Sequence, residues 1–163
     1  MNVEAFWKLI DRACQAEAES PDETEAALAE LLQSLSVEDL VAFTHHADDA
    51  MDRAYRWDLW GAAYLIGGGC SDDAFSDFRS SLIARGHAAY EQALADPDSL
   101  ADVDLDEEAW FHEGFDYVAA AEFERRGLKT PPRARPHPAE PEGQAWSEDE
   151  LEARFPRLSR KHS

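Results

Sequence analysis

Apolar side chains recur every three or four positions along most of this chain, which is the spacing that buries one face of an α-helix. The first stripe predicts a helix over residues 3–19. Two further helices begin at Ser20 and Ser36, because each serine precedes acidic residues that favour a first helical turn. Pro21 strengthens the earlier start, since proline is tolerated at the first helical position. The predicted core positions of these helices are Phe6, Leu9, Ile10, Ala13, Cys14, Leu28, Leu31, Leu32, Leu35, Leu40, Phe43, Ala47, Met51, Ala54 and Tyr55.

The helical pattern continues beyond these three helices. Trp57–Ile66 is the most apolar segment and predicts a buried helix, which the glycine run 67–69 ends. Ser71 caps the next helix, and two more follow over residues 88–95 and 110–126. No segment shows the sustained alternation with β-branched residues that a strand would show. We therefore expect an all-α fold, a compact multi-helix bundle.

The last part of the chain has a different composition. Residues 129–146 contain five prolines and predict an extended, polyproline-like tail that does not form a helix. A capping-box spacing then predicts one short helix. Leu151 and Phe155 are large apolar residues for a free tail, so we expect them to dock on the body. The sequence thus predicts an acidic helical domain over 1–128 and a docked Pro-rich tail over 129–163.

The charge of the chain is its most unusual bulk property. It carries 35 Asp and Glu against 15 Lys and Arg, a formal net charge of −20. The excess lies in residues 1–128, since the tail holds 7 basic and 6 acidic side chains. Phosphate binding needs Lys and Arg, so this body argues against nucleic acid and anionic membranes as partners. It favours a basic protein partner or a cationic ligand.

Three further features predict a cytoplasmic protein. The longest apolar stretch, residues 59–66, is far shorter than the roughly 20 residues that a membrane span needs. The first residues are amphipathic and acidic, without the basic start and cleavage site of a signal peptide. Cys14 and Cys70 lack the CxxC spacing of a zinc site or a disulfide scaffold. Two isolated cysteines are typical of free thiols in a reducing compartment.

A dense group of aromatic and polar residues lies between Trp57 and Arg79. Trp57, Trp60 and Tyr64 share one helix face at i, i+3 and i+7, and each combines apolar area with a polar group. This face predicts either ordinary core packing or one wall of a ligand pocket. The candidate ligand-binding residues are Trp57, Asp58, Trp60, Tyr64, Cys70, Ser71, Asp72, Asp73 and Arg79.

The same segment lacks a complete catalytic set. No Lys follows the glycines, which argues against a P-loop. In addition, Asp72 or Asp73 at about 4 Å would repel a phosphate by about 4 kcal/mol at an effective dielectric of about 20. A charged ligand here is therefore expected to be a cation. Nothing distinguishes Asp72, Asp73 and Asp77 as acid and base, and Arg79 is expected to pair with one of them. Cys70 precedes a helix start, which lowers a thiol pKa, but the nearby acids oppose this and no His is positioned beside it. We predict no catalytic residue and no cofactor.

Two ladders of metal-type ligands occur outside this segment, one on the third helix and one on the last helix of the body. They are His45, Asp49 and Asp52, beside His46 and Asp48, and Glu108, His112 and Asp116. Carboxylates and imidazoles on facing helices can form a metal site, although the Glu-x-x-His spacing of di-iron bundles is absent. The alternative is a solvated acidic face. The sequence leaves both interpretations open and assigns no metal.

Several short motifs spread over nearly the whole chain match a known pattern. They are Phe6-Trp7-Lys8-Leu9-Ile10-Asp11, Trp57-Asp58-Leu59-Trp60, Ala62-Ala63-Tyr64, Gly68-Gly69-Cys70-Ser71-Asp72-Asp73, Phe75, Phe78-Arg79, Leu82-Ile83-Ala84, Gly86, Leu94-Ala95-Asp96-Pro97-Asp98-Ser99-Leu100, Tyr117-Val118-Ala119 and Phe155-Pro156-Arg157-Leu158. Through them the chain resembles a bacterial family known as domain of unknown function 4240, whose pattern usually has a polar residue where Gly67 stands. The resemblance implies an α-helical bacterial cytoplasmic protein and no particular activity.

The sequence supports two hypotheses for function. The first is a non-enzymatic interaction or regulatory protein, of the immunity type, whose acidic body binds a basic partner. The second is a small-ligand-binding protein or enzyme with a pocket around Trp57–Arg79, including a metal-dependent form. The negative charge and the incomplete catalytic set favour the first. The sequence indicates no oligomeric state.

Overall fold

A computed structural model describes residues 1–15 and 20–163 of the chain. Within these residues the chain forms helices and no β-strand, so the expected all-α fold is confirmed. Residues 16–19 of the predicted first helix lie outside the described part. None of the described helices is long and apolar enough to cross a lipid bilayer. The helices are α1 (Val3–Gln15), α2 (Pro21–Leu32), α3 (Val37–Arg53), α4 (Trp57–Gly67), α5 (Asp72–Ala84), α6 (His87–Ala95), α7 (Glu107–Trp110), α8 (Phe115–Arg125), α9 (Leu151–Arg154) and α10 (Pro156–Lys161), with short 3-10 turns over Pro97–Asp102 and Glu148–Glu150.

Serine caps and one glycine set the ends of several helices. The hydroxyls of Ser20, Ser36 and Ser71 each accept a hydrogen bond from the backbone N–H three residues later, at 3.1–3.4 Å. These bonds satisfy N–H groups that the first turn of a helix leaves without a partner. Gly68 ends α4 in a left-handed conformation with φ of 63°, which costs glycine little because it has no Cβ. The predicted helix starts and the predicted stop at the glycines are therefore confirmed.

Helix α5 lies at the centre of the bundle. It packs against α1, α2, α3, α4, α6, α7 and α8. Phe75, Phe78 and Leu82 on this helix are completely buried, as their spacing predicts. Because neighbouring helices surround α5, its polar residues Arg79 and Ser80 are buried as well. A single apolar stripe does not reveal this second buried face.

The predicted helix over residues 110–126 is wrong in one respect. The structure divides it into α7 and α8, which residues 111–114 connect. Trp110 ends α7 with its ring 5.7 Å from that of Phe78, and Phe115 begins α8 and is also buried. A continuous helix would point two side chains five residues apart about 140° from each other. The break lets both rings enter the core.

The extended part of the tail runs along the start of α4. The Glu142 N–H donates to the carbonyl of Tyr55 and its carbonyl accepts from the N–H of Trp57, both at 2.9 Å. His137 packs edge-on against the Tyr55 ring at 4.7 Å. The Trp146 Nε1–H donates to the carbonyl of Trp57 at 2.6 Å. Backbone bonds and ring contacts thus fix a segment that has no helix of its own.

Beyond this segment, the tail contributes to the main core. Leu151, Phe155 and Leu158 are buried and belong to the same apolar cluster as the helices of the body. Gly61 on α4 leaves room for them, since a Cβ at this position would lie 2.8 Å from the Phe155 ring and 2.9 Å from Leu151. Helix α10 also packs against the 3-10 turn Pro97–Asp102. The last helices are therefore part of the packed body.

Ion pairs accompany this docking. Four of the seven basic side chains of the tail pair with described carboxylates of the body. The pairs are Arg133 with Asp48 and Asp52, Arg135 with Asp49, Arg157 with Asp102, and Lys161 with Asp104. The tail is nearly neutral in composition, but it directs positive charge toward an acidic body.

Candidate functional site

Trp60 packs at the junction of α4 and α5. Its ring is stacked between those of Trp57 and Phe75, at centroid distances of 5.4 and 4.9 Å. Its Nε1–H donates to the carbonyl of Cys70 at 2.9 Å, which fixes the loop before α5. The indole N–H of Trp60 is thus used in a hydrogen bond to the main chain of its own fold.

Trp57 and Tyr64, the other two residues of the predicted aromatic face, contact the tail. Trp146 packs edge-on against both rings, at centroid distances of 6.2 and 5.3 Å. The Tyr64 hydroxyl donates to a carboxylate oxygen of Glu148 at 2.6 Å. In this structure the tail covers the aromatic face.

The acidic and hydroxyl residues of the same segment lie at helix starts. Asp58 accepts a hydrogen bond from the next backbone N–H at 2.7 Å and pairs with Arg56 at 3.1 Å. Asp72 and Asp73 occupy the first turn of α5, behind the Ser71 cap, where the helix dipole favours negative charge. Ser71, Asp72 and Asp73 are exposed. The structure therefore places the polar candidates at two separate helix starts.

Arg79 is buried and joins α5 to α3. Its Nη1 donates to the carbonyl of Met51 at 2.9 Å, and its guanidinium lies 4.7 Å from the Tyr55 ring and 4.8 Å from the Phe75 ring. Burial lowers the pKa of Arg79, although nearby carboxylates including Asp72 oppose the shift. The predicted ion pair with Asp72, Asp73 or Asp77 is wrong, because within the described residues the buried guanidinium bonds to main-chain carbonyls and stacks on rings.

Neither cysteine has the environment of a nucleophile. Burial, which is the largest cause, raises the pKa of the Cys70 thiol to about 12 and that of Cys14 to about 11. At Cys70 the effect of burial exceeds any lowering by the helix start. The Cys14 thiol also donates to the carbonyl of Ala84 at 2.7 Å.

We therefore expect both thiols to react slowly. At pH 8 iodoacetamide should alkylate the folded chain at least about tenfold more slowly than free cysteine, because only the thiolate reacts and the pKa of free cysteine is about 8.5. Mass spectrometry of the alkylated peptides follows each site separately. Unfolding in guanidinium is the control and should restore the ordinary rate. A folded-state rate at Cys70 equal to that of free cysteine would contradict the prediction.

A cavity of about 620 Å³ opens between the start of α2, the end of α5 and the segment 104–112. Its described lining includes five carboxylates and one guanidinium, that of Arg85. Burial lowers the pKa of Arg85, whose guanidinium lies 5.3 Å from the Trp110 ring. The carboxylates of the lining are those of Asp22, Glu25, Asp104, Asp106 and Glu108.

Three side chains converge at the edge of this cavity. Asp22 and Glu25 lie three residues apart on α2, and His112 reaches them from the connection between α7 and α8. One ligand atom from each lies within 4.8 Å of the other two. His112 Nε2 lies 3.5 Å from an Asp22 oxygen and in closer contact with Oε1 of Glu25. The arrangement is suited to a cation, since it offers two carboxylates and one imidazole.

Sequence reasoning singled out His112 but assigned it the wrong partners. The ladder with Glu108 and Asp116 requires a continuous helix, and the break at 111–114 places these residues on different elements. Asp22 and Glu25 were not among the candidates. The available signal was their spacing of three residues at a helix start, which places two carboxylates on one face.

The other predicted ladder, on α3, faces the tail. His45 Nε2 lies 3.2 Å from the carbonyl of Pro132. Asp49 pairs with Arg135, and Asp52 pairs with Arg133. The carboxylates proposed as metal ligands are thus ion-paired with arginines.

Below these ion pairs lies a groove between α3 and α8. It contains a cavity of about 210 Å³, lined by apolar residues such as Met51 and Ala119 and by the carboxylates of Asp48 and Asp116. Tail residues Pro131 and Arg133 also line it. The groove therefore combines an apolar floor with acidic sides, and an extended segment lies over it.

Asp116 gives this groove a second source of negative charge. Although one side of it is exposed, burial is the main cause that raises the pKa of its carboxyl to about 6. The Ser80 hydroxyl and the guanidinium of Arg79 partly oppose this shift. At neutral pH the carboxylate is charged, so it adds to the attraction that the groove exerts on a cationic side chain.

Comparison with known proteins gives one match. A family profile described as "Protein of unknown function (DUF4240)" matches residues 1–125, which include the helices of the body and leave out the tail. The resembling segment Phe155–Leu158 lies beyond the matched region. No curated protein and no solved structure matches the chain. Because the profile covers well over half of the sequence, the chain belongs to the DUF4240 family.

Proposed function

We propose that this protein is a non-enzymatic interaction protein that binds an extended, basic, Pro-containing segment of a partner in the groove between α3 and α8. One observation carries the proposal. The groove already holds a segment of this chemistry, namely residues 130–136 of its own tail, with Arg133 and Arg135 paired to the α3 carboxylates.

The groove suits such a segment for two reasons. Prolines hold a chain in an extended conformation before binding, so little conformational entropy is lost when it docks. Arginine forms directional hydrogen bonds with carboxylates, and Asp48, Asp49 and Asp52 lie along one side of α3 at the positions that the tail arginines reach. The apolar floor then accepts the proline rings, as Pro131 does.

The tail segment is held weakly enough to be replaced. The Arg135–Asp49 pair is exposed, and an exposed ion pair contributes only about 0–1 kcal/mol. Arg133 pairs with the half-buried Asp48 and Asp52, so it is the stronger of the two anchors. The tail segment nevertheless competes well against a free partner, because its covalent attachment gives it an effective concentration in the millimolar range. A partner therefore has to make more contacts than the tail does, or the tail must first be weakened.

The test weakens the tail segment in the full chain and offers a copy of it as a peptide. We expect Arg133→Ala/Arg135→Ala to bind a labelled peptide of residues 129–141 at least about tenfold more tightly than the unchanged chain, because the attached competitor is lost. Fluorescence anisotropy at low and high salt measures the affinity. Screening should weaken the binding, since the contacts are between charges and the Arg135–Asp49 pair is exposed to solvent.

Two further variants identify the surface. Adding Asp48→Asn and Asp52→Asn to the double variant should abolish peptide binding, whereas adding Asp72→Asn and Asp73→Asn, which remove the same charge elsewhere, should leave it. Equal affinity of the unchanged chain and the double variant would overturn the proposal. Equal losses with both pairs of Asn substitutions would also do so, since they would indicate attraction by net charge alone.

A further inference from the structure

We propose that Asp22, Glu25 and His112 form a binding site for a first-row divalent transition-metal ion, with Zn²⁺ as the representative probe. The site lies at the edge of the cavity of about 620 Å³ and is separate from the groove between α3 and α8. It depends neither on the peptide-binding proposal nor on either ladder predicted from the sequence.

The first support is the geometry of the donor atoms. Around a tetrahedral zinc ion, nitrogen and oxygen donors lie about 2.0–2.1 Å from the metal and therefore about 3.4 Å from one another. His112 Nε2 lies 3.5 Å from an Asp22 oxygen, and all three donors are within 4.8 Å of one another. His112 Nε2 and Oε1 of Glu25 are closer to each other than this spacing, so these two side chains would move apart to admit one ion between the three donors.

The second support is that two of the donors are buried without a hydrogen bond. Oε1 of Glu25 and Nε2 of His112 have almost no accessible surface, and within the described residues neither makes a hydrogen bond of acceptable geometry. They face each other only as an ion pair. Buried polar atoms in native proteins almost always have a partner; here the nearest charged partner of each atom, among the described residues, is the other, and a cation between them would be a ligand for both.

The third support comes from Gly114. Its backbone is right-handed, with φ of −64° and ψ of −29°, so the conformation does not require glycine. A Cβ at this position would overlap the carboxylate of Glu25. A larger residue here would require the carboxylate that faces His112 to shift, so Gly114 leaves room for this carboxylate.

The donor set indicates which ions are suitable. Imidazole together with carboxylates favours zinc and its first-row neighbours over Mg²⁺ and Ca²⁺, which prefer oxygen ligands alone. The Asp22 side chain is 85% exposed, so the site is open to solvent on that side, and the cavity has room for water to complete the coordination. Three protein ligands with an open position make a site that can hold a further ligand on the metal.

The experiment is a calorimetric titration of the full, tag-free chain with Zn²⁺ and, separately, with Mg²⁺. We expect one Zn²⁺ to bind per chain and Mg²⁺ to bind far more weakly. Asp22→Asn, Glu25→Gln and His112→Gln should each weaken Zn²⁺ binding at least about tenfold, since even outer-shell changes at metal sites cost about 10–100-fold. Visible absorption of bound Co²⁺ gives a second readout of the coordination.

Glu108→Gln is the matched control, because it removes one carboxylate from the same cavity without removing a proposed ligand. It should leave Zn²⁺ binding unchanged. The proposal fails if the chain binds no Zn²⁺, if Glu108→Gln weakens binding as much as Glu25→Gln, or if His112→Gln has no effect. Asp22→Asn changes an exposed side chain and keeps the test valid should a more buried variant fail to fold.

Discussion

Replacement of Leu158 by alanine is expected to lower the free energy of unfolding by about 2–5 kcal/mol, the usual range for a fully buried leucine. Leu158 lies in the tail, outside the region that the family profile matches, yet none of its side chain is exposed. Its backbone N–H also donates to Asp98 at 2.9 Å, and α10 packs against α4 and the 3-10 turn Pro97–Asp102. The substitution leaves a cavity where the tail completes the core.

Urea unfolding followed by circular dichroism measures this loss, which should appear as a lower midpoint with little change in slope. Leu128→Ala is the matched control, because Leu128 also lies near the tail but is 41% exposed. The control should change stability by no more than about 0.5 kcal/mol. Equal small effects of the two substitutions would show that α10 is not part of the cooperative fold.

Replacement of Gly61 by leucine is expected to destabilise the chain by about 1–3 kcal/mol and to release the end of the tail. Two effects compete. A residue other than glycine inside a helix gains up to about 1 kcal/mol. However, the Cβ alone would lie 2.8 Å from Phe155, 2.9 Å from Leu151 and 3.1 Å from the Trp146 Nε1, so the larger side chain must displace α9 and the residues next to it.

Limited trypsin digestion tests the release directly, because cleavage after Arg154 and Arg157 requires local unfolding, which is easier when these helices leave α4. Digestion of the tail should be faster in Gly61→Leu than in the unchanged chain. Ala95→Leu is the control, because it introduces a leucine at the exposed end of α6, where the side chain points into solvent. The tail of this variant should be digested at the rate of the unchanged chain. Unchanged digestion of Gly61→Leu would disprove the docking of α9 on Gly61.

Local signals in the sequence were sufficient to predict helices α2 to α6. The serine caps, the αL glycine at 68 and the apolar stripes act within a few residues, so they are visible without knowledge of the fold. The division at residues 111–114 was missed because its cause is not local. It depends on where the rings of Trp110 and Phe115 meet the rest of the core.

The candidate sites show the same difference between local signals, which the sequence carries, and contacts that only the tertiary fold creates. The sequence predicted one aromatic face of Trp57, Trp60 and Tyr64, but a sequence does not say what covers a face. In the structure Trp146 packs against Trp57 and Tyr64, whereas Trp60 packs on Phe75. Likewise, His112 could be identified as a candidate metal ligand from its imidazole side chain alone. Its neighbours Asp22 and Glu25 lie about ninety positions away, and only the packing of α2 beside α8 brings them together.

The docking of the tail on Gly61 affects which fragment of this protein has a closed core. The family region ends at residue 125, whereas the core is completed by Leu151, Phe155 and Leu158. A fragment that stops at the family boundary therefore leaves an open apolar depression on α4, ringed by Trp57 and Tyr64. Exposed patches of this kind promote self-association in solution. We therefore expect the fragment that stays monodisperse to extend beyond the region that the family profile matches.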